Sequence, residues 1–451
     1  MLSQTQARNY THQILQRCAE TQAEVVLMAE EKALTRFANN AIHQNVAESN
    51  LTLYLHLITN GHHGLASTNR QDAEALDELV ARARASAKNS PADPERPGPA
   101  DPAEFTYVTA FDEETAAYPP QERAAQVGSV CRLAAESGLN AFGAFSTGYA
   151  EIAVANSQGL FAYHTNTECD FQVVVMGEDS SGRAQASGWK IAGVDPESLG
   201  KEAIAKAKRG RDPRSIQPGE YPVVVDPYAT EDLLSMMNLN GMGGLAVLEG
   251  RSWMNDRLGK LVLNPLVSIW DDGLDPRGIP LPFDFEGVPK RKVAIVTDGV
   301  VKNPVYDRTI ARKAGTTTTG HALPPNLPPF MRNYGPIALN LFMAPGDTSL
   351  DEMIRSMDQG LYITRFWYTR LVHPRDCIVT GMTRDGVFMI ERGEIAYPVK
   401  NLRFTQSYVQ ALASVEAVGK DTRLLKTENG SRAISAPGLK MASFRFTGQT
   451  V

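Results

Sequence analysis

CIVTGMTRDGVFMIERGEIAYPVK, residues 377–400, decides the fold of the second half of this chain. Short runs of β-branched and other apolar residues (CIVTGMT, VFMIE, EIAYPVK) are separated by Arg384-Asp385-Gly386 and then Arg392-Gly393. Glycine-containing turns between such runs predict consecutive antiparallel hairpins. Upstream, VAIVT and VVKNPVY flank Asp298-Gly299, a favoured two-residue turn. Two helices interrupt these strands. One is expected over Thr230–Asn240 and the other over Ser349–Met357, where Ser349 and Glu352 form a capping box and Gly360 is the stop. Hairpins spaced this closely from 220 to 451 point to a sheet closed on itself or to a sandwich.

The first half reads differently. Tyr10, Ile14 and Cys18 recur every four residues behind Ser3 and predict a helix over 3–20. Strands follow in EVVLMAE, ALTRFA, AIHQNVA, LTLYLHLI and HGLAST, turning at Asn39-Asn40 and Asn60-Gly61. A second helix carries Leu76, Leu79, Val80, Ala83 and Ala87. Five prolines between Pro91 and Pro102 make 89–104 a loop. Helix, antiparallel strands and helix then return: a helix from Pro119-Pro120 to Gly138, strands YAEIAVA, LFAYHT and CDFQVVVMG, and a helix from Pro196. The recurrence reads either as an internal duplication or as an ordinary α+β order. The expected division is an amino-terminal α+β domain, 1–219, and a β-rich, barrel-like carboxy-terminal domain, 220–451, with RGRDPRSIQPGEYP (209–222) as the boundary.

Composition narrows the function classes. The 451 residues are 43% hydrophobic and 21% charged with a net charge of −6, which excludes disorder, collagen and coiled coil. An acidic chain argues against broad electrostatic capture of nucleic acid or of anionic membrane. No stretch approaches the roughly 18 apolar residues of a membrane span. The opening MLSQTQARNYTHQ lacks the apolar core of a signal peptide. Cys18, Cys131, Cys169 and Cys377 form no CxxC pair, so a cytoplasmic location is expected.

Motif searching by itself finds no active site. None of the eight histidines completes HExxH or HExxxH, and there is no GxSxG or phosphate loop. His62-His63 falls in a turn. Gly241-Met242-Gly243-Gly244-Leu245-Ala246 fits GxGxxA, but the text before it reads as helix where a dinucleotide site needs a strand. Asp271, Asp272 and Asp275 offer oxygen ligands for a hard cation, though turn carboxylates read the same way. Lys206, Lys208, Arg209, Arg211 and Arg214 read as a solvated helix end rather than a nucleic-acid contact. Phe366-Trp367-Tyr368 reads as core or interface before ligand platform.

Taken in order, several segments resemble the TldD/PmbA family, whose PmbA branch is also called TldE. TRFANNAIHQ (35–44) and HGLASTN (63–69) are similar to its amino-terminal signature. GLYITRF (360–366), IVTGMTRDGVFMIERGEIAYPVKNLRFTQS (378–407) and PGLKMASFRFTG (437–448) are similar to its carboxy-terminal domain, as is Asn340 followed by Phe342 and Pro345-Gly346. The resemblance implies a two-domain protein that works as a dimer. In that family TldD and TldE subunits together form a metalloprotease acting on unfolded or leader peptides, and TldD carries an HExxxH metal helix and a late cysteine ligand. Matching LEG (248–250) to the LEG after that helix places Gly241, Met242 and Ala246 where the two histidines and the glutamate would stand. No histidine lies between 165 and 320 and no cysteine after 377.

The chain is accordingly expected to be the TldE-type subunit, with no catalytic or metal-binding residue of its own, and zinc is expected in a TldD-type partner. Extended peptides would dock by backbone hydrogen bonds at strand edges, with Asp271, Asp272 and Asn340 as groove candidates. Two other readings stand beside this one. The chain could be a non-proteolytic peptide-binding homodimer of the kind described as modulating DNA gyrase, or it could hydrolyse peptides itself around Asp271, Asp272 and Asp275. No nucleic-acid or membrane partner is expected.

Overall fold

The computed structural model describes residues 2–19, 21–427 and 433–449. Its first half runs α1 (Gln4–Arg17), β1 (Gln22–Ala38), β2 (Ala41–Thr59), β3 (His62–Thr68) and α2 (Ala73–Asn89). After the proline-rich segment come a short α3 (Glu113–Ala116), α4 (Pro120–Glu136), β4 (Asn140–Asn156), β5 (Phe161–Met176), β6 (Ser181–Gly188) and α5 (Pro196–Arg209). Local chemistry sets the boundaries. Ser3 and Gln6 cap α1 reciprocally, and Asp72 and Asp195 accept the first free N–H groups of α2 and α5. Asn39-Asn40 and Asn60-Gly61 adopt the left-handed backbone that a tight hairpin turn demands.

The six strands form one antiparallel sheet in the order β3-β2-β1-β4-β5-β6. Each helix–three strands–helix unit contributes three neighbours, and β1 pairs with β4 from Glu24↔Asn156 to Phe37↔Gly143. The two units are therefore related by a twofold-like axis within the sheet. Alternation then buries both faces. Val25, Leu27, Leu53 and Leu55 pack under α1 and α2 with Ile14, Leu76 and Leu79. Val26, Ile152, Val154 and Ala162 face the other way, against Leu281, Phe283, Phe285 and Leu339 of the second half.

The second half begins with β7 (Gly219–Val225), α6 (Pro227–Met237), a π-helical turn (Asn238–Met242) and α7 (Gly244–Leu248). It continues through β8 (Ile269–Asp271), β9 (Val293–Thr297), β10 (Val300–Val301), α8 (Arg308–Lys313), α9 (Pro329–Arg332), β11 (Asn340–Met343) and α10 (Leu350–Arg355). The last stretch is β12 (Gln359–His373), β13 (Ile378–Glu391), β14 (Glu394–Pro398), β15 (Leu402–Ser407), α11 (Tyr408–Ala413), β16 (Val415–Leu425) and β17 (Ala433–Gln449). β7, β12, β13, β15 and β17 close into a ring, because β17 pairs with β7 as well as with β15. β11, β8, β9 and β10 extend the sheet from the start of β17. This is the β-rich barrel of the α+β fold. Its core joins Phe366, Phe404, Tyr408 and Phe444 to Leu233, Met237 and Trp253 from and beyond α6.

One expected turn is not a turn. Arg384-Asp385-Gly386 lies inside continuous β13, with φ +59 at Asp385 and +129 at Gly386, opposite the irregular pairing of Ile363 and Arg365. Residues suited to a turn here make a bulge. The Asp385 carboxylate accepts from the Ser181 hydroxyl at 2.9 Å and pairs with Arg365 at 3.2 Å, which ties this bulge to the first sheet. The turns at Asp298-Gly299 and Arg392-Gly393 form as expected.

Candidate functional site

The segment after α6 is where the family resemblance would put a metal helix. Here the backbone widens into the π turn, and the Trp253 indole donates to Met237 O at 3.0 Å. Ser252 donates to Gly241 O at 2.5 Å, and Asn238 grips the backbone of Ala338 in both directions. Gly241 is required by this packing, since a Cβ there would lie 2.2 Å from Trp253 Cδ1. Met242 and Ala246 are buried, Met242 within the barrel core. Two positions without ligand atoms and one buried thioether do not fit a zinc ion. Among the described residues no group of three or more His, Cys, Asp or Glu is placed to hold a metal.

Beside this segment lies a groove of about 510 Å³. One wall is α6 and the π turn, with Tyr228, Asp232, Met236 and Asn240; the other is β12 from Arg365 to Leu371. Phe330 and Tyr334 close one end, and Arg183 and Gln185 of β6 reach in from the first sheet. β12 is irregular here: its pairing with β13 slips between Trp367 and Arg370, and Tyr368 has φ +54. A bulky aromatic residue held in the left-handed region is strained. The slip splits the aromatic triplet. Phe366 stays in the core at 3% exposure, while Trp367 and Tyr368 turn outward at 38% and 60%.

Their rings form a ladder. The Arg384 guanidinium lies 3.9 Å from the Trp367 ring centre, Trp367 is 5.7 Å from Tyr368, and Arg370 lies 4.5 Å from Tyr368. Asp232 anchors the wall, accepting from the Thr369 and Tyr408 hydroxyls, each at 2.7 Å. Burial pushes its carboxyl above the usual range.

The groove candidates taken from the sequence lie elsewhere. Asp271 is 0% and Asn340 1% exposed. Burial would raise the Asp271 carboxyl, but Lys290 at 3.7 Å and His321 at 2.8 Å overcome it and hold it at about 2. Burial, followed by Lys290, drives His321 down. Asn340 donates its backbone N–H to Asp271 and accepts from Ile279 N. Asp272 is half-buried, accepts from Leu274 N and is raised by burial; Asp275 is held by Arg277. These residues brace the wall behind β8 and β11, and none lines the groove. Asp271 and Asn340 are thus buried, bonded groups away from this groove, and Asp272 and Asp275 are half-buried beside them.

Other singled-out residues change setting as well. Lys206 is not a solvated helix-end cation: it pairs with Glu202 at 2.8 Å and Asp226 at 2.7 Å. His63 stacks on His56, whose Nδ1 is 2.8 Å from Glu24. All four cysteines are buried, and burial lifts Cys18 to about 11 and Cys169 and Cys377 to about 12, so none is a ready nucleophile. No helix among the described residues is long and apolar enough to cross a membrane.

Comparison with known proteins agrees with this architecture. Residues 23–87, 97–211 and 218–448 match, in order, domain 1, the central domain and the C-terminal domain of the PmbA/TldA metallopeptidases. A metalloprotease TldD homolog from Buchnera aphidicola subsp. Acyrthosiphon pisum is 25% identical over 61% of this chain and 59% of its own length. Metalloprotease PmbA from Escherichia coli O157:H7 is 24% identical over 62% of this chain and 60% of its own length. The matched part thus spans about 60% of the length of these relatives. The crystal structure of TldE from Thermococcus kodakarensis has TM-score 0.88 at 18% identity, over 98% of this chain and 100% of that one. A Thermotoga maritima protein provisionally assigned as a modulator of a DNA gyrase has TM-score 0.85 at 19% identity, over 98% of this chain and 100% of that one. At these identities the structures establish a shared fold.

Proposed function

The chain belongs to the PmbA/TldD metallopeptidase family, and from that premise we propose that it is the non-catalytic, TldE-type subunit of a heterodimeric metalloprotease. The observation that carries this reading is the environment of Gly241, Met242 and Ala246. Trp253 occupies the space a side chain at 241 would need, and the neighbouring positions bring no imidazole or carboxylate. In this reading zinc and the water it activates belong to the TldD-type subunit. The present chain shapes the chamber in which an unfolded or leader peptide is presented. We take it to divide near residue 219, between α5 and β7, so that the groove lies where two folded units meet.

The test is reconstitution. A TldD-type subunit and this chain are purified separately, and cleavage of an unstructured peptide is followed for each alone and for the mixture. Activity confined to the mixture is expected. A TldD-type subunit that cleaves equally well alone would remove the partner role. A modulator homodimer without proteolysis would instead appear as a self-associated species that leaves cleavage by the TldD-type subunit unchanged.

A further inference from the structure

We infer that the groove between α6 and β12 is a binding site for extended peptides carrying a carboxylate next to an aromatic or large apolar residue. This rests on the reading of the chain as a peptide-presenting subunit and names the class of peptide it presents. The first support is charge. The chain is acidic overall, at −6, yet Arg183, Arg365, Arg370 and Lys426 line this groove with Glu231 and Asp232. Arg365 is paired with Asp385 and Lys426 with Glu168, which leaves Arg183 and Arg370 for a ligand. Arg183 donates to Gln185 and Gln172, which are neutral, and Arg370 donates one N–H to Thr369 O. Neither makes an ion pair among the described residues. A guanidinium carries five N–H donors in a planar fork, so Arg370, 4.5 Å from the Tyr368 ring centre and with one N–H given to Thr369 O, has donors left for a carboxylate.

The second support is the exposed aromatic surface. Phe330, Trp367 and Tyr368 are 63%, 38% and 60% exposed around one groove, whereas large aromatic side chains usually face the core. Exposure here is built rather than incidental. The pairing slip in β12 and the left-handed backbone at Tyr368 turn two rings out while Thr369, between Tyr368 and Arg370, stays tied to Asp232. Strain kept in a folded chain is a sign of use. Exposed rings with guanidinium groups beside them suit an apolar side chain followed by an acidic one along an extended strand. The slip also leaves Tyr368 and Thr369 unpaired with β13.

The experiment is peptide binding to the purified full chain, read by fluorescence anisotropy of a labelled unstructured decapeptide. One peptide alternates Phe and Glu among small residues; its counterpart has Lys at each Glu. The acidic peptide is expected to bind about tenfold tighter, in keeping with one or two charge-assisted hydrogen bonds, and to weaken with added salt. Arg370→Gln should abolish most of that preference and Arg370→Glu should reverse it. Trp367→Ala should weaken both peptides about three- to tenfold with the preference intact. Equal affinity for the two peptides, or a preference unchanged in Arg370→Glu with its fold intact by circular dichroism, overturns the inference. The two proposals fail separately. Reconstituted cleavage without charge preference removes the peptide class and keeps the partner role; preferential binding without reconstitution does the reverse.

Discussion

A buried carboxylate is useful to a fold when its partners come with it. Asp271 sits with Lys290 and His321 and accepts the backbone N–H of Asn340. Asp271→Asn should cost roughly 3–5 kcal/mol in urea unfolding at pH 7, because the buried Lys290 and His321 lose the carboxylate they face. The sign with pH follows from the depressed carboxyl. The folded value is about 2 against an ordinary 3.8, so its stabilisation is complete above about pH 4 and lost as pH falls through about 2. The gap between wild type and Asp271→Asn should therefore narrow in unfolding curves taken at successively lower pH. Gly241 offers a second single-residue test. Gly241→His places a Cβ 2.2 Å from Trp253 and should destabilise by about 1–3 kcal/mol, without raising the zinc content of purified protein. Sequence carried the glycine but not its reason, since Trp253 is twelve residues away. It also carried Asp271 without His321, which lies fifty residues further on. Burial and long-range partners decide between a turn, a ligand and a brace, and neither can be read from local spacing.

At the scale of elements, capping and two-residue turns were legible because their chemistry is local. Ser349-Glu352, Asp298-Gly299 and Arg392-Gly393 act where their side chains and backbones predict. Irregularities inside strands were not legible. Arg384-Asp385-Gly386 offers the same left-handed positions as a turn, and pairing with β12 draws it into one strand. The slip at Trp367–Arg370 has no glycine in its own stretch of β12, and Gly381 opposite it reads as part of a strand, so the aromatic triplet could not be separated into core and surface members. Tyr368→Gly tests what that slip is for. Relief of left-handed strain should offset the flexibility glycine adds, leaving stability within about 1 kcal/mol of wild type, while Phe-Glu peptide binding weakens. Denaturant midpoints and anisotropy on the same samples separate the two effects.

Across the whole molecule, the two sheets are joined by a buried charge network. Burial disfavours the Lys206 ammonium, but Asp226 and Glu202 hold it charged. Arg423 from β16 pairs with Glu202 at 2.6 Å and donates to the Tyr228 hydroxyl, and Tyr362 from β12 donates to Asp226. Removing Lys206 takes away the ion pair of the buried Asp226 carboxylate, while Glu202 keeps Arg423 and Asp226 keeps the Tyr362 hydroxyl. Lys206→Met should cost roughly 3–5 kcal/mol, and adding Asp226→Leu should recover part of it, as measured by thermal or urea unfolding of both variants. The same joint makes the four buried thiols into a set of clocks. Cys18, Cys131 and Cys169 lie under the first sheet and Cys377 in the barrel core. A thiol reagent can reach each of them when its own surroundings open, so mass-resolved labelling rates would time the opening of either half independently. Near-equal rates at all four would mean that the halves come apart together. A Cys377 that outpaces the other three would mark the barrel as the part that yields first.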